Sequence, residues 1–118
     1  MYRDEILDLY KNPRNEGQID SAIEAEGENP SCGDHTKVYI ELKDDQVQDI
    51  KHETEGCAIS TAAISVATEE LKGMKINEIT DLDKEWMIDK LGVEVSPMRL
   101  KCAVLGLKTI QKAITERS

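Results

Sequence analysis

The period of the hydrophobic pattern changes at Gly56, and that switch limits the possible folds more than any other feature. Before it, apolar residues recur at every second position. In "TKVYIELK", Val38, Ile40 and Leu42 share one side, and Tyr39 and Glu41 the other, as in a half-buried strand. Ile19, Ile23 and Ala25 have the same parity and predict a shorter strand upstream. Asp44 and Asp45 form the turn, and "QVQDIKHETE" returns as an antiparallel third strand, although its alternation is imperfect. After Gly56, "CAISTAAISVATEELKG" is rich in alanine and other small residues, which predicts a helix packed closely on several sides and stopped by Gly73. "DLDKEWMIDKLG" predicts a shorter helix ending at Gly92. A last helix opens with Ser96 as N-cap and Pro97 in its first turn, and carries Leu100, Ala103, Leu107, Ile110 and Ile114 as its core stripe. A first helix over Arg3 to Lys11, with Tyr2, Ile6, Leu9 and Tyr10 on one stripe, ends in the turn residues of "NPRNEG". Strands followed by helices imply an α+β fold: a small antiparallel sheet of about three strands, covered on one face by helices.

The chain's 118 residues, with no repeat or linker, predict a single domain spanning 1–118. It has no Phe and one Trp, so the core must be aliphatic. A net charge of -9 excludes the basic face that nucleic-acid binding needs. No apolar run is long enough for a signal peptide or a membrane span, and the expected compartment is the cytoplasm.

In such a compartment the three cysteines form no disulfide framework and are buried thiols, metal ligands or reactive groups. Cys32 lies in the loop between the first two strands, next to Gly33. Cys57 follows Gly56 at a strand-to-helix junction, facing the free N–H groups of a helix N-terminus, a setting that stabilises a thiolate. Cys102 is two residues past Leu100, about 200° round the helix, and so is expected to point away from the core stripe. A tetrahedral site needs a fourth ligand, and Asp34, two residues from Cys32, is either that ligand or a turn or capping residue. His35 should point away from Cys32, and His52 has parity opposite to Cys57, so neither is expected to be a ligand.

"NPRN" after the first helix, "NPSCGD" before a strand, "EGCAIS" opening the alanine-rich helix and "RLKCA" in the last helix occur in that order. Together they resemble the IscU/SufU/NifU-type iron–sulfur scaffold family over nearly the whole chain. The resemblance implies that Cys32, Asp34, Cys57 and Cys102 cluster at one end of the domain. There the family accepts persulfide sulfur from a cysteine desulfurase, binds iron, builds a [2Fe–2S] cluster and passes it to acceptor proteins. Such a chain is expected to be a monomer or weak homodimer. The third cysteine follows Lys101, as in the SufU branch, whereas the spacing between the second and third cysteines is of IscU length, without the SufU insertion of about twenty residues. The family's chaperone-recognition segment, Leu-Pro-Pro-Val-Lys, is matched only in part by "VSPMR", residues 95–99, which leaves an Hsp70-type chaperone the least supported of the implied partners.

Three thiolates and a carboxylate would carry four negative charges, which Zn²⁺ or a [2Fe–2S]²⁺ core half offsets. Lys101, and with it Arg99, could add a positive field that holds Cys102 as thiolate; the plainer reading of Lys101 is a solvated helix lysine. Thiolates are the soft ligands of iron–sulfur clusters, and an aspartate in place of a fourth cysteine makes one corner exchangeable. Cys102 is the expected first persulfide acceptor and Cys57 the second candidate. The alternative function is a SufU-like, zinc-dependent sulfurtransferase, in which Zn²⁺ on the same four residues lends one thiolate to receive the desulfurase's sulfur.

Overall fold

The computed structural model describes residues 4–117. Its elements are α1 (Asp4–Lys11), β1 (Ile23–Asn29), β2 (Asp34–Lys43), β3 (Gln46–Glu55), α2 (Ala58–Leu71), α3 (Ile76–Thr80), α4 (Lys84–Leu91) and α5 (Leu100–Glu116). The three strands form one antiparallel sheet in the order β1-β2-β3. On its inner face Val38, Ile40, Ile50 and His52 are fully buried beneath α2 and α5. The expected α+β architecture, helices on one face of a small antiparallel sheet, is the one observed.

The imperfect alternation of the third strand has a local cause. Ile40 pairs with Ile50 and Glu41 with Asp49, but Leu42 pairs with Val47, so Gln48 is an extra residue. That β-bulge changes the parity of β3, which lets both Val47 and Ile50 face the core. Asp44 and Asp45 form the two-residue turn with φ of 54° and 62°, the left-handed pair that suits a tight hairpin.

α2 is buried on nearly all sides by α1, α4, α5 and β3, so its small residues serve close packing, as expected. α4 is capped by the Asp83 carboxylate, which accepts from the Trp86 N–H at 3.0 Å, and it ends at Gly92 with φ of 75°.

Several expectations are corrected. β1 begins at Ile23 rather than Ile19, because Ser21 adopts φ of 62° in a turn. Tyr39 lies on the outer face as predicted but is nonetheless buried, its hydroxyl donating to Glu53 and the Lys37 ammonium lying 5.3 Å from its ring. Tyr10 is exposed while Ile6 and Leu9 are buried, so α1 has a narrower core stripe; Tyr2 and Arg3 lie outside the described residues. The Pro97–Arg99 segment is a 3-10 turn preceding α5, and the Ser96 side chain makes no capping bond. The short α3 was not expected; Ile79 anchors it in the core, and Gln111 Nε2 donates to the carbonyls of Ile79 and Leu82 behind it.

The "NPRN" loop is tied across β3 and α2. Asn15 Nδ2 donates to Thr68 Oγ1 at 3.0 Å, and the Arg14 N–H donates to Ser65 Oγ at 3.1 Å. His52 lies 2.9 Å from the Arg14 carbonyl through Nε2 and 2.8 Å from Thr54 Oγ1 through Nδ1. A neutral ring protonated on Nε2 satisfies both contacts, and burial pushes the His52 pKa down. This histidine is a structural clamp.

Candidate metal centre

Four sequence-distant pieces of chain meet at one end of the sheet. The β1-β2 hairpin loop, Pro30 to Gly33, is closed by the Cys32 N–H donating to the Asn29 carbonyl at 3.1 Å. Gly33 at φ of 73° then reverses the backbone so that Cys32 and Asp34 converge. They meet through a turn. The ligand atoms of Cys32, Asp34 and Cys102 all lie within 4.8 Å of one another. A tetrahedral ion with metal–sulfur bonds of about 2.3 Å places its ligand atoms ~3.8 Å apart, so small side-chain movements suffice to close such a set.

Asp34 fulfils the capping role that the sequence left open with one oxygen and leaves the other without a partner. Its carboxylate is buried. Oδ1 accepts from the Cys57 N–H at 2.9 Å and lies 3.3 Å from Ser60 Oγ, so it caps α2 from a neighbouring strand. The Cys57 side chain makes no capping bond of its own. Oδ2 is buried with no hydrogen-bond partner. A buried carboxylate oxygen left without a donor is costly, and a cation bound between Cys32 and Cys102 would satisfy it. The donor set therefore fits a thiophilic metal.

Gly56 makes this approach possible: a Cβ there would lie 2.5 Å from Asp34 Oδ1 and 2.5 Å from Ser60 Oγ. Sequence reasoning passed over Ser60. Its signal is its spacing, three residues into the helix from Cys57, where a hydroxyl reaches back to the helix N-terminus. It lies 3.0 Å from the Cys57 carbonyl and 3.7 Å from the Cys57 sulfur.

Cys57 is half-buried and its sulfur is not one of the three atoms that lie within 4.8 Å of one another, although its thiol is close enough to help raise the Cys102 pKa. Cys32 is exposed. Cys102 departs most from expectation. It does point off the Leu100 stripe, but it is fully buried, because α5 packs against β1 and β2 as well as α2. Asn29 Nδ2 donates to its sulfur at 3.6 Å. Burial first, then the Asp34, Cys32 and Cys57 side chains beside it, push the Cys102 pKa up, so the metal-free protein holds it as a thiol and metal binding must displace the proton. Lys101 lies exposed, lining a cleft with Asn29, Val104 and Lys108. His35 is half-exposed on β2, 3.3 Å from a Glu26 carboxylate oxygen and away from the thiols.

A small antiparallel sheet under helices, with thiols and one carboxylate gathered at the sheet's end, defines a metal-handling scaffold domain. The family model "NifU-like N terminal domain" matches residues 1–117, and the chain belongs to this family, that of the IscU, SufU and NifU iron–sulfur assembly proteins. Among relatives, it is 36% identical to "Iron-sulfur cluster assembly scaffold protein IscU 1" of Archaeoglobus fulgidus, covering 98% of this chain and 76% of that protein. It is 35% identical to "Zinc-dependent sulfurtransferase SufU" of Bacillus subtilis, covering 98% and 90%. Its fold matches the crystal structure of a putative iron–sulfur cluster assembly scaffold protein for the SUF system from Fervidobacterium islandicum AW-1, with a TM-score of 0.82, 32% identity and 96% of each chain covered. Among the described residues no helix is long and apolar enough to cross a membrane.

Proposed function

We propose that this chain is an assembly scaffold that accepts persulfide sulfur from a cysteine desulfurase together with Fe²⁺, combines them into a [2Fe–2S] cluster on Cys32, Asp34, Cys57 and Cys102 as Fe²⁺ and an external thiol or ferredoxin reductant supply the electrons that take the sulfane sulfur to sulfide, and releases the cluster to acceptor proteins. The observation that carries this reading is the unpartnered, buried Asp34 Oδ2 set among thiols. Soft thiolates hold the cluster, and a single hard oxygen, already engaged through Oδ1 at the helix cap, is the ligand that lets go. Of the two candidate persulfide acceptors, Cys57 is half-buried and reachable, whereas Cys102 is fully buried. Lys101 serves as a long-range positive charge beside Cys102, from the solvent side of α5.

Spacing supports the scaffold over a zinc-dependent sulfurtransferase. The alignment with the Bacillus protein is 133 positions long against this chain's 118 residues, so at least 15 of its positions have no counterpart here. The Archaeoglobus alignment is 118 positions long. The test is anaerobic incubation with a cysteine desulfurase, L-cysteine, Fe²⁺ and dithiothreitol as reductant, followed by assay of iron and acid-labile sulfide on the re-isolated protein. Stoichiometric iron and sulfide are expected. Retained zinc with faster desulfurase turnover and no bound sulfide would replace this reading with sulfur transfer.

A further inference from the structure

The two edges of the sheet differ. β3 is covered: Glu16 bridges to His52 and Lys75 bridges to Gln46 along its outer side. Among the described residues, nothing pairs with the outer edge of β1. The Glu26 carbonyl on that edge accepts only a long contact, 3.4 Å, from the Lys112 ammonium. In an antiparallel ladder the N–H and C=O of one residue point the same way, and the direction alternates along the strand. The backbone groups of Glu24, Glu26 and Glu28 therefore point outward together. An open edge of this kind is a template for another strand.

Charge defines what fits it. The side chains of Glu24, Glu26 and Glu28 stand on the solvent face. Lys37 offsets Glu24 and His35 lies against Glu26, while Glu28 has no ion pair among the described residues. On the other face, a cleft of about 480 Å³ runs between the edge and α5, with Leu105 and Thr109 in its wall and Lys108 and Lys112 at its rim. A second copy of this chain fits poorly, because two β1 edges would set glutamate against glutamate between molecules of charge -9.

We propose that the β1 edge is a docking site for an extended segment of a partner protein, added as a fourth strand. The segment has Lys or Arg at alternate positions, opposite Glu24, Glu26 and Glu28, with small apolar residues between them facing Leu105. β1 ends at Asn29, whose amide donates to the Cys102 sulfur, so a partner bound here lies directly beside the thiol cluster. The inference stands apart from what the cluster holds.

The probe is an end-blocked peptide, Lys-Val-Lys-Val-Lys-Thr-Lys, titrated into the isotope-labelled full chain. Saturable shifts at the Glu24, Glu26 and Glu28 amides, with slowed hydrogen exchange there, are expected. The double charge reversal E24K/E28K should weaken binding at least about tenfold. E26P removes one outward N–H without touching the ladder to β2 and should abolish binding, while E26Q retains most of it. The same peptide N-methylated on alternate amides tests the backbone contacts without altering the protein. If the methylated peptide binds as well as the parent, or E26P binds as well as E26Q, the attraction is charge alone and strand addition is wrong. A dimer of the peptide-free chain that E26P dissolves in sedimentation would make the occupant a second copy and overturn the assigned partner.

Discussion

Adding one methyl group at Gly56 tests how the site is built. Gly56 has no left-handed φ, so an alanine meets no backbone strain there; the whole effect is local. Its Cβ would lie 2.5 Å from Asp34 Oδ1, a distance no carbon–oxygen contact tolerates, and a tight 3.1 Å from Asp34 Cγ. The carboxylate must withdraw from the Cys57 N–H, which it now meets at 2.9 Å. A hydrogen bond to a charged group contributes about 2 kcal/mol, and replacing glycine returns roughly 0.5 kcal/mol through the unfolded chain. Gly56→Ala should therefore destabilise the metal-free protein by about 1.5 kcal/mol, a fall in Tm of ~6 °C. Urea denaturation in a double-mutant cycle with Asp34→Ala checks the cause: in the Asp34→Ala background most of the Gly56→Ala cost should vanish, a coupling of about 1 kcal/mol or more. Moving the carboxylate should also weaken Zn²⁺ binding by about 10- to 100-fold, as loss of a ligand's supporting contact does. Equal cost of Gly56→Ala with and without Asp34 would refute the claim that this glycine exists to admit the carboxylate.

His52, with its pKa pushed below the ordinary 6.5 by burial, makes the unfolded chain the better proton binder below that pH. Stability is thus full above about pH 6.5 and falls by up to ~1.4 kcal/mol per pH unit as pH drops towards the folded-state pKa; the difference between wild type and His52→Asn in a pH series of urea midpoints should show this component missing from the variant. Alkylation of the metal-free protein with iodoacetamide, mapped by mass spectrometry, should modify exposed Cys32 first and buried, protonated Cys102 last; equal rates would contradict the burial of Cys102. Because the Cys102 thiol must lose its proton to bind, Zn²⁺ affinity measured by competition should rise between pH 7 and pH 8, by up to about tenfold per proton released. Replacing Asn29 by Ala removes a donor to the Cys102 sulfur and should shift the absorption bands of a bound cluster without preventing its assembly.

What the sequence revealed depended on whether the information was local. Alternation in β2, the paired aspartates of the hairpin and the Gly92 stop are short-range signals, and each element stands where they put it. The third strand resisted reading because the bulge at Gln48 reverses parity midway, and only pairing with β2 reveals it. Cys102 was placed off the core stripe of its helix, which is correct, but its complete burial was not foreseen. A helix wheel shows direction, not that a second wall, β1 and the Cys32 loop, closes over that side. Asp34 could not be assigned one role from sequence because its two oxygens stand in different settings, and the partner of its capping oxygen is 23 residues away. The motifs bearing Cys32, Asp34, Cys57 and Cys102 were legible in the chain itself. Ser60 and Asn29, which hold the surroundings of those residues, became visible only in three dimensions.

The central claim is that thiols retain the cluster and Asp34 releases it. The most direct measurement loads wild type and Asp34→Ala with iron and sulfide anaerobically, then follows transfer of the cluster to an apo-ferredoxin by visible circular dichroism. Both should load, with the variant handing its cluster on markedly more slowly than the wild type. An Asp34→Ala protein that fails to load, or that transfers as fast as the wild type, would show that the carboxylate is an anchor or a bystander and not the releasable ligand.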